Sequence, residues 1–189
     1  GTVAAKEELA DAGKLSEAFM LPRFGMQMAM PGSFDTFEFF GLGPHENYID
    51  RSSSALVGHY VQNVDDQYHD GYVRPQESGT KTGIKWMKVI DDNGAGFEIT
   101  SDVKFSASVL PFSWQEMDVR MLGNNQAHSL ELKSSAHEND RSCGRTWVNF
   151  DLVQQGLGCI NSWGAWPLEQ HRVKAQPYQF NFILRPVNN

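Results

Sequence analysis

From Phe24 onward, apolar and polar residues alternate with a period of two, the mark of strands with one face buried. Phe24, Met26, Met28 and Met30 fall on one side, and Gly25, Gln27 and Ala29 on the other. The period recurs in Phe37–Phe39, Leu56–Val61, Thr82–Ile90, Phe97–Ile99, Val103–Val109, Leu130–Leu132, Thr146–Leu152 and Tyr178–Leu184. In Thr82–Ile90, Ile84 and Trp86 stand against Met87 and Val89, so apolar groups are expected on both faces, as near the centre of stacked sheets. Turn residues separate the runs: Pro31-Gly32, Asp92-Asn93-Gly94, Gly123-Asn124-Asn125 and Glu138-Asn139-Asp140. One short helix is predicted over Ser113–Met121, where Ser113 as N-cap and Glu116 three residues on form a capping box. About nine or ten strands with short turns predict an all-β fold, an antiparallel β-sandwich with one short helix. Residues 1–20, which include KEELADAGKLSEA, read as a loose or helical lead-in, or as the cut edge of the sheet, ahead of a sandwich over 21–189.

Composition narrows the function classes. The 189 residues are 40% hydrophobic and 21% charged, in the range of an ordinary globular domain. A net charge of −7 with 16 basic residues, and no basic run, argues against nucleic acid or an anionic membrane as partner. No stretch of about 18 apolar residues is present to span a bilayer. The opening GTVAAKEELADAG lacks the basic and apolar regions of a signal peptide. The two cysteines, Cys143 and Cys159, flank the strand Thr146–Leu152. That strand alone spans roughly 23 Å, whereas a disulfide needs Cα atoms within about 7 Å. Two free thiols are expected.

Four stretches carry candidate chemistry. The strand Thr146–Leu152 breaks at Gly156 and Gly158 into a loop ending in Asn161-Ser162-Trp163-Gly164, with Pro167 beyond. An aromatic delivered on such a loop is either a ligand platform or a core residue capping the sandwich. As a platform, Trp163 would pack on the C–H face of a sugar, with Asn161 bonding a hydroxyl. In Gly41–Arg51, GLGPHENYIDR, a fixed loop bears His45, Glu46, Asn47, Asp50 and Arg51. A carboxylate beside a histidine suits acid–base work, but Glu46, Asp50 and Arg51 suit an ion pair and hydrogen bonds that lock the loop. Arg74 and Glu77 in RPQESG read the same way. Asp65, Asp66, His69 and Asp70 lack any diagnostic metal-ligand spacing and read as a solvated turn. The six histidines are scattered, the cysteines are too few for a structural zinc site, and nucleophile-elbow, phosphate-loop and dinucleotide motifs are missing.

The segments PRFGM (Pro22–Met26), GLGPHENYIDR, RPQESG (Arg74–Gly79), NFDLVQQGLG (Asn149–Gly158), NSWG (Asn161–Gly164) and AQPYQFNFILRP (Ala175–Pro186) follow in this order. Together they resemble the C-terminal, small-chain domain (domain 5) of family 2 β-galactosidases. The resemblance implies a partial copy of a super-sandwich similar to the galactose mutarotase fold. It implies a parent enzyme that cleaves terminal β-D-galactosyl residues with retention, using two glutamates on an upstream (β/α)₈ barrel. It further implies that this segment is inactive alone and lends Trp163 to the sugar pocket. Its partners would be the galactoside, the barrel domain and further copies of the parent. Magnesium and sodium would belong to the barrel and its neighbours, with none held here. One departure stands out: Gly158-Cys159-Ile160-Asn161 replaces the family's Gly-Gly-Asp run, leaving fewer polar groups beside the tryptophan. A free-standing carbohydrate-binding module and a mutarotase-like epimerase are the other readings.

Overall fold

A computed structural model describes residues 2–5, 20–69, 71, 77–117, 144–158 and 165–188. Its strands are β1 (Thr2–Ala5), β2 (Met20–Leu21), β3 (Arg23–Pro31), β4 (Thr36–Gly43), β5 (Leu56–Asn63), β6 (Lys81–Ile90), β7 (Gly96–Leu110), β8 (Arg145–Gln154), β9 (Val173–Lys174) and β10 (Phe180–Val187). A single α-helical turn, α1 (Trp114–Met117), follows β7 among the described residues. Eight strands make one antiparallel sheet in the order β1-β10-β7-β6-β4-β5, with β8 pairing both β7 and β3, while β2 and β9 form a separate ribbon. The fold is the all-β sandwich expected.

The long strand β7 organises the sheet. Its first half pairs β10 over Gly96–Ser101, its second half pairs β8 over Ser106–Leu110, and β6 runs along its other side. The alternation predicted two strands here, broken at Ser101-Asp102. They are one, because the polar break falls at an exposed position where backbone pairing continues. Ser101 Oγ donates to the Asn181 carbonyl at 2.8 Å and so stays within the ladder.

Apolar positions of β3, β4, β6, β7, β8 and β10 converge on one core that includes Phe37, Phe39, Met87, Phe105, Phe150 and Phe182. Burying each such side chain contributes about 1.5–3 kcal/mol. The core also corrects two face assignments. Ile84 enters it together with Met87 and Val89, while Trp86 turns outward. The β6–β7 register shifts between Ile84 and Trp86, and such a bulge resets the alternation, which even spacing in sequence cannot reveal. In β3, Phe24, Met28 and Met30 pack on the core, but Met26 is 37% exposed, next to the register shift between Phe24 and Gly25. On the opposite face of β8, Asn149 and Asp151 are buried too. Asn149 is satisfied by Gln27 and Ser108.

Residues Thr2–Ala5 pair antiparallel with Phe180–Ile183 of β10, as an edge strand. The helical reading of KEELADAGKLSEA and the strand Leu130–Leu132 fall outside the described residues, as do Cys143 and Cys159. The predicted helix begins as expected, with the Met117 N–H bonded to the Ser113 carbonyl at 3.4 Å; residues 118–121 and the Glu116 side chain lie outside the description.

Candidate functional site

Strand β4 delivers the chain into the Gly41–Arg51 loop, and a buried asparagine shapes it. Asn47 Nδ2 donates to the Leu42 and His45 carbonyls at 2.9 and 3.1 Å. Its Oδ1 accepts from the Thr82 N–H at 3.1 Å and from the Thr82 hydroxyl. The loop is thereby tied to the start of β6. Glu46 binds the loop further. Its Oε1 receives Arg51 Nη2 at 2.6 Å, and its Oε2 accepts from the Gly79 N–H at 2.9 Å and the Tyr48 hydroxyl at 3.3 Å. Tyr48 and Arg51 also exchange backbone hydrogen bonds at 3.2 and 2.8 Å, and the guanidinium lies 5.1 Å from the Tyr48 ring centroid. Through Gly79, Glu46 joins the first loop to the end of RPQESG.

Asp50 reaches in the other direction, to the base of the tryptophan loop. Its Oδ2 accepts from the Gly158 N–H at 2.9 Å, and the Gly156 N–H donates to the His171 carbonyl at 2.9 Å. A Cβ on Gly156 would stand 2.6 Å from Asp50 Oδ2, and Gly158 adopts φ +81°, so each position needs glycine. A Cβ on Gly158 would lie 3.2 Å from the Ala165 carbonyl, so the two ends of the 159–164 segment stand side by side. Trp163 and Asn161 belong to that segment and lie outside the described residues. Trp166, just after it, is 54% exposed, an aromatic the sequence reading passed over. Asp50 Oδ1 and His171 Nδ1 are buried without a hydrogen bond among the described residues.

A second layer of buried charge lies behind these loops. Glu77 Oε1 pairs with Arg23 Nη2, whose Nη1 also reaches Asp151 Oδ2 at 3.3 Å. Arg74, the other charged member of RPQESG, is outside the described residues. Burial pushes the Asp151 carboxyl up to about 7; Arg23 opposes the shift and Glu77 adds to it. Burial works against the Arg23 charge as well, yet Asp151 and Glu77 outweigh it and leave the group's pKa raised. Lys81, also buried, donates to Gln67 Oε1 at 2.9 Å and the Gly79 carbonyl at 3.2 Å. Burial lowers it to about 8 against the pull of Glu46. A cavity of about 290 Å³ is lined in part by Tyr48, Ser52, Phe105, Ser106, Gln154 and Gln155.

The remaining candidates separate. Asp65 and Asp66 sit on a single 3₁₀ turn, Val64–Gln67, capped by Asn63, and the His69 N–H bonds Ser78 Oγ at 2.9 Å. Asp70 is outside the described residues. Among the described residues no three His, Cys, Asp or Glu side chains group to hold a metal ion. The sheet does assemble one His–Glu pair. His59 Nε2 lies 2.8 Å from Glu38 Oε1, and Lys88 Nζ reaches Glu38 Oε2 at 3.3 Å. The His59 and Lys88 groups flank the outward Trp86 ring at 5.5 and 5.2 Å. His59 and Glu38 are 21 residues apart, and only the β4–β5 register brings them together.

Comparison with known proteins covers nearly the whole chain. The family described as "Beta galactosidase small chain" matches residues 2–184. A beta-galactosidase of Halalkalibacterium halodurans is 31% identical over 169 residues, 88% of this chain and 15% of that protein. One of Priestia megaterium is 30% identical over 188 residues, 99% of this chain and 16% of that protein. One of Lactobacillus delbrueckii subsp. bulgaricus is 28% identical over 180 residues, 94% of this chain and 16% of that protein. The chain therefore spans about one-sixth of the length of these relatives.

Proposed function

Because the chain belongs to the beta-galactosidase small-chain family, we propose that it is the non-catalytic β-sandwich portion of a family 2, retaining β-galactosidase. In this reading the enzyme cleaves terminal β-D-galactosyl residues with two glutamates on a barrel elsewhere in the protein, about 5–5.5 Å apart as retention requires. Trp163 supplies an aromatic wall to the sugar pocket, and Asn161 a hydrogen bond to a sugar hydroxyl. Glu46, Asp50 and Arg51 act as structural locks, as do Glu77 and Arg74. Any magnesium or sodium belongs to the barrel side, and the full enzyme works as a homo-oligomer.

The observation that carries this reading is the fixed base of the tryptophan loop. Asp50 clamps Gly158 while His171 clamps Gly156, so the chain leaves β8 in a set direction. A fixed base lowers the ordering cost of a sugar-facing loop that starts from it. Chemistry would come from groups outside it.

The test is a pair of assays. The chain alone should not hydrolyse an aryl β-D-galactoside, and should do so only as part of a protein that includes the barrel. In that protein, Trp163→Ala should weaken substrate binding by about 1–3 kcal/mol, the range for one lost aromatic contact. Hydrolysis by the chain alone would overturn the proposal. Tight galactose binding by the isolated chain in calorimetry would favour a free-standing carbohydrate-binding module instead.

A further inference from the structure

Midway along β7 the sheet opens. The β6–β7 register runs from Lys81↔Ala107 through Ile84↔Phe105 to Trp86↔Thr100, so residues 101–104 of β7 have no partner on β6. On its other side β7 pairs β10 only as far as Ser101, and β8 only from Ser106. Gly83 sits in the first irregular step of β6 and takes φ +64°, a conformation that disfavours any side chain. Bulges re-aim side chains, and a glycine inside a strand leaves space for a close approach.

The cavity of about 290 Å³ lies at this opening, where Gly83 of β6, Lys104, Phe105 and Ser106 of β7, and Gln154 of β8 all line it. Gln154 is only 8% exposed, and its Nε2 is buried without a hydrogen bond among the described residues. Oε1 of Gln155, which also lines the cavity, is buried without one as well. A buried amide left unpaired costs stability, so such groups are uncommon in a folded chain. Here one donor and one acceptor stand at the wall of a single cavity.

We propose that this cavity binds one neutral monosaccharide ring. A sugar hydroxyl both donates and accepts, so Gln154 Nε2 donates to one and Gln155 Oε1 accepts from another. The hydroxyls of Ser52 and Ser106 can turn to do either. Ile49, Leu152 and Val173 give an apolar wall for the C–H face of the ring. A volume of about 290 Å³ is at the small end of the range of about 300–1,000 Å³ for ligand sites, room for a single ring. Among the described residues lining the cavity Lys104 alone is charged, and it is exposed and hydrated, so the buried wall favours a neutral molecule. That lining includes neither carboxylate nor imidazole, so the sugar is held and not transformed. Binding is weak, in the millimolar range, because one ring makes few contacts. The site uses neither Trp163 nor a barrel, so it stands or falls apart from the function proposed above.

Titration of the ¹⁵N-labelled 189-residue chain with D-galactose, and separately with D-glucose, should give saturable NMR shifts for at least one sugar at the Gln154 and Gln155 side-chain amides and the Ser106 backbone amide. Gln154→Leu removes the donor at nearly constant size and should weaken binding about tenfold. Ser52→Trp, at a half-buried loop position, should block the cavity by bulk and so keeps the test decisive if Gln154→Leu disturbs the strand. Trp163→Ala should leave the shifts unchanged. Absence of shifts at these amides with both sugars, their loss in Trp163→Ala, their persistence in Ser52→Trp, or tighter binding of D-galacturonate than of D-galactose would overturn the proposal. A crystal structure of the longer protein in D-galactose with protein side chains filling the cavity would overturn it as well.

Discussion

Replacing Asp50 by alanine tests the clamp on the tryptophan loop directly. The substitution removes the carboxylate that accepts from the Gly158 N–H at 2.9 Å in a partly buried setting. A hydrogen bond to a charged group is worth about 1.5–3 kcal/mol. Part of that is offset, because Asp50 Oδ1 is buried without a partner among the described residues and its loss relieves desolvation. A net loss of about 2 kcal/mol is expected, or about 4–8 °C in Tm for a chain of this size. If the loss is local, exchange of the Gly158 amide should accelerate about 30-fold. Gly156→Ala should act through the same contact, since its Cβ would stand 2.6 Å from Asp50 Oδ2 and push the carboxylate away from Gly158. The double variant should therefore cost about 1 kcal/mol less than the sum of the two singles, measured by urea unfolding. Additivity within about 0.5 kcal/mol, with Gly158 exchange unchanged in Asp50→Ala, would refute the clamp.

Two buried charges predict an unusual pH profile. Asp151 is raised from 3.8 to about 7, so between those values the folded state holds more protons than the unfolded one, and stability should fall as pH rises through that window. Lys81 is lowered from 10.5 to about 8, so stability should climb again from about pH 8 to 10.5. Urea unfolding across pH should show the acid-side fall vanish in Asp151→Asn. The bulge in β6 predicts that Ile84→Ala costs about 2–5 kcal/mol, more than Trp86→Ala on the outer face; the reverse order would misplace the bulge. Phe39→Ala, at the centre of the core, should cost about 3–5 kcal/mol in the same assay.

Much of the architecture is legible from alternation alone, because a strand's two faces differ in solvent and each second residue reports its own. Phe37 and Phe39, Phe180 and Phe182, and Val148 and Phe150 all pack where their parity puts them. Parity fails where a backbone irregularity intervenes, as at Ile84 and Trp86, since a bulge leaves no compositional mark. Glu46 and Arg51, five residues apart, could be paired by eye. The contact from Asp50 to Gly158 crosses 108 residues, and that from Arg23 to Asp151 crosses 128. No local spacing encodes such distances.

What the amino-acid order determines by itself is the sheet class, the turns and the motifs shared with the beta-galactosidase small chain, because each rests on short-range chemistry. Tertiary structure alone decides which motif touches which. It sets Asp50 against Gly158, buries Asp151 and Lys81, and brings His59 to Glu38. The reason is physical: strand register and burial are settled by closing one core, and residues far apart in the chain become neighbours only when that core forms.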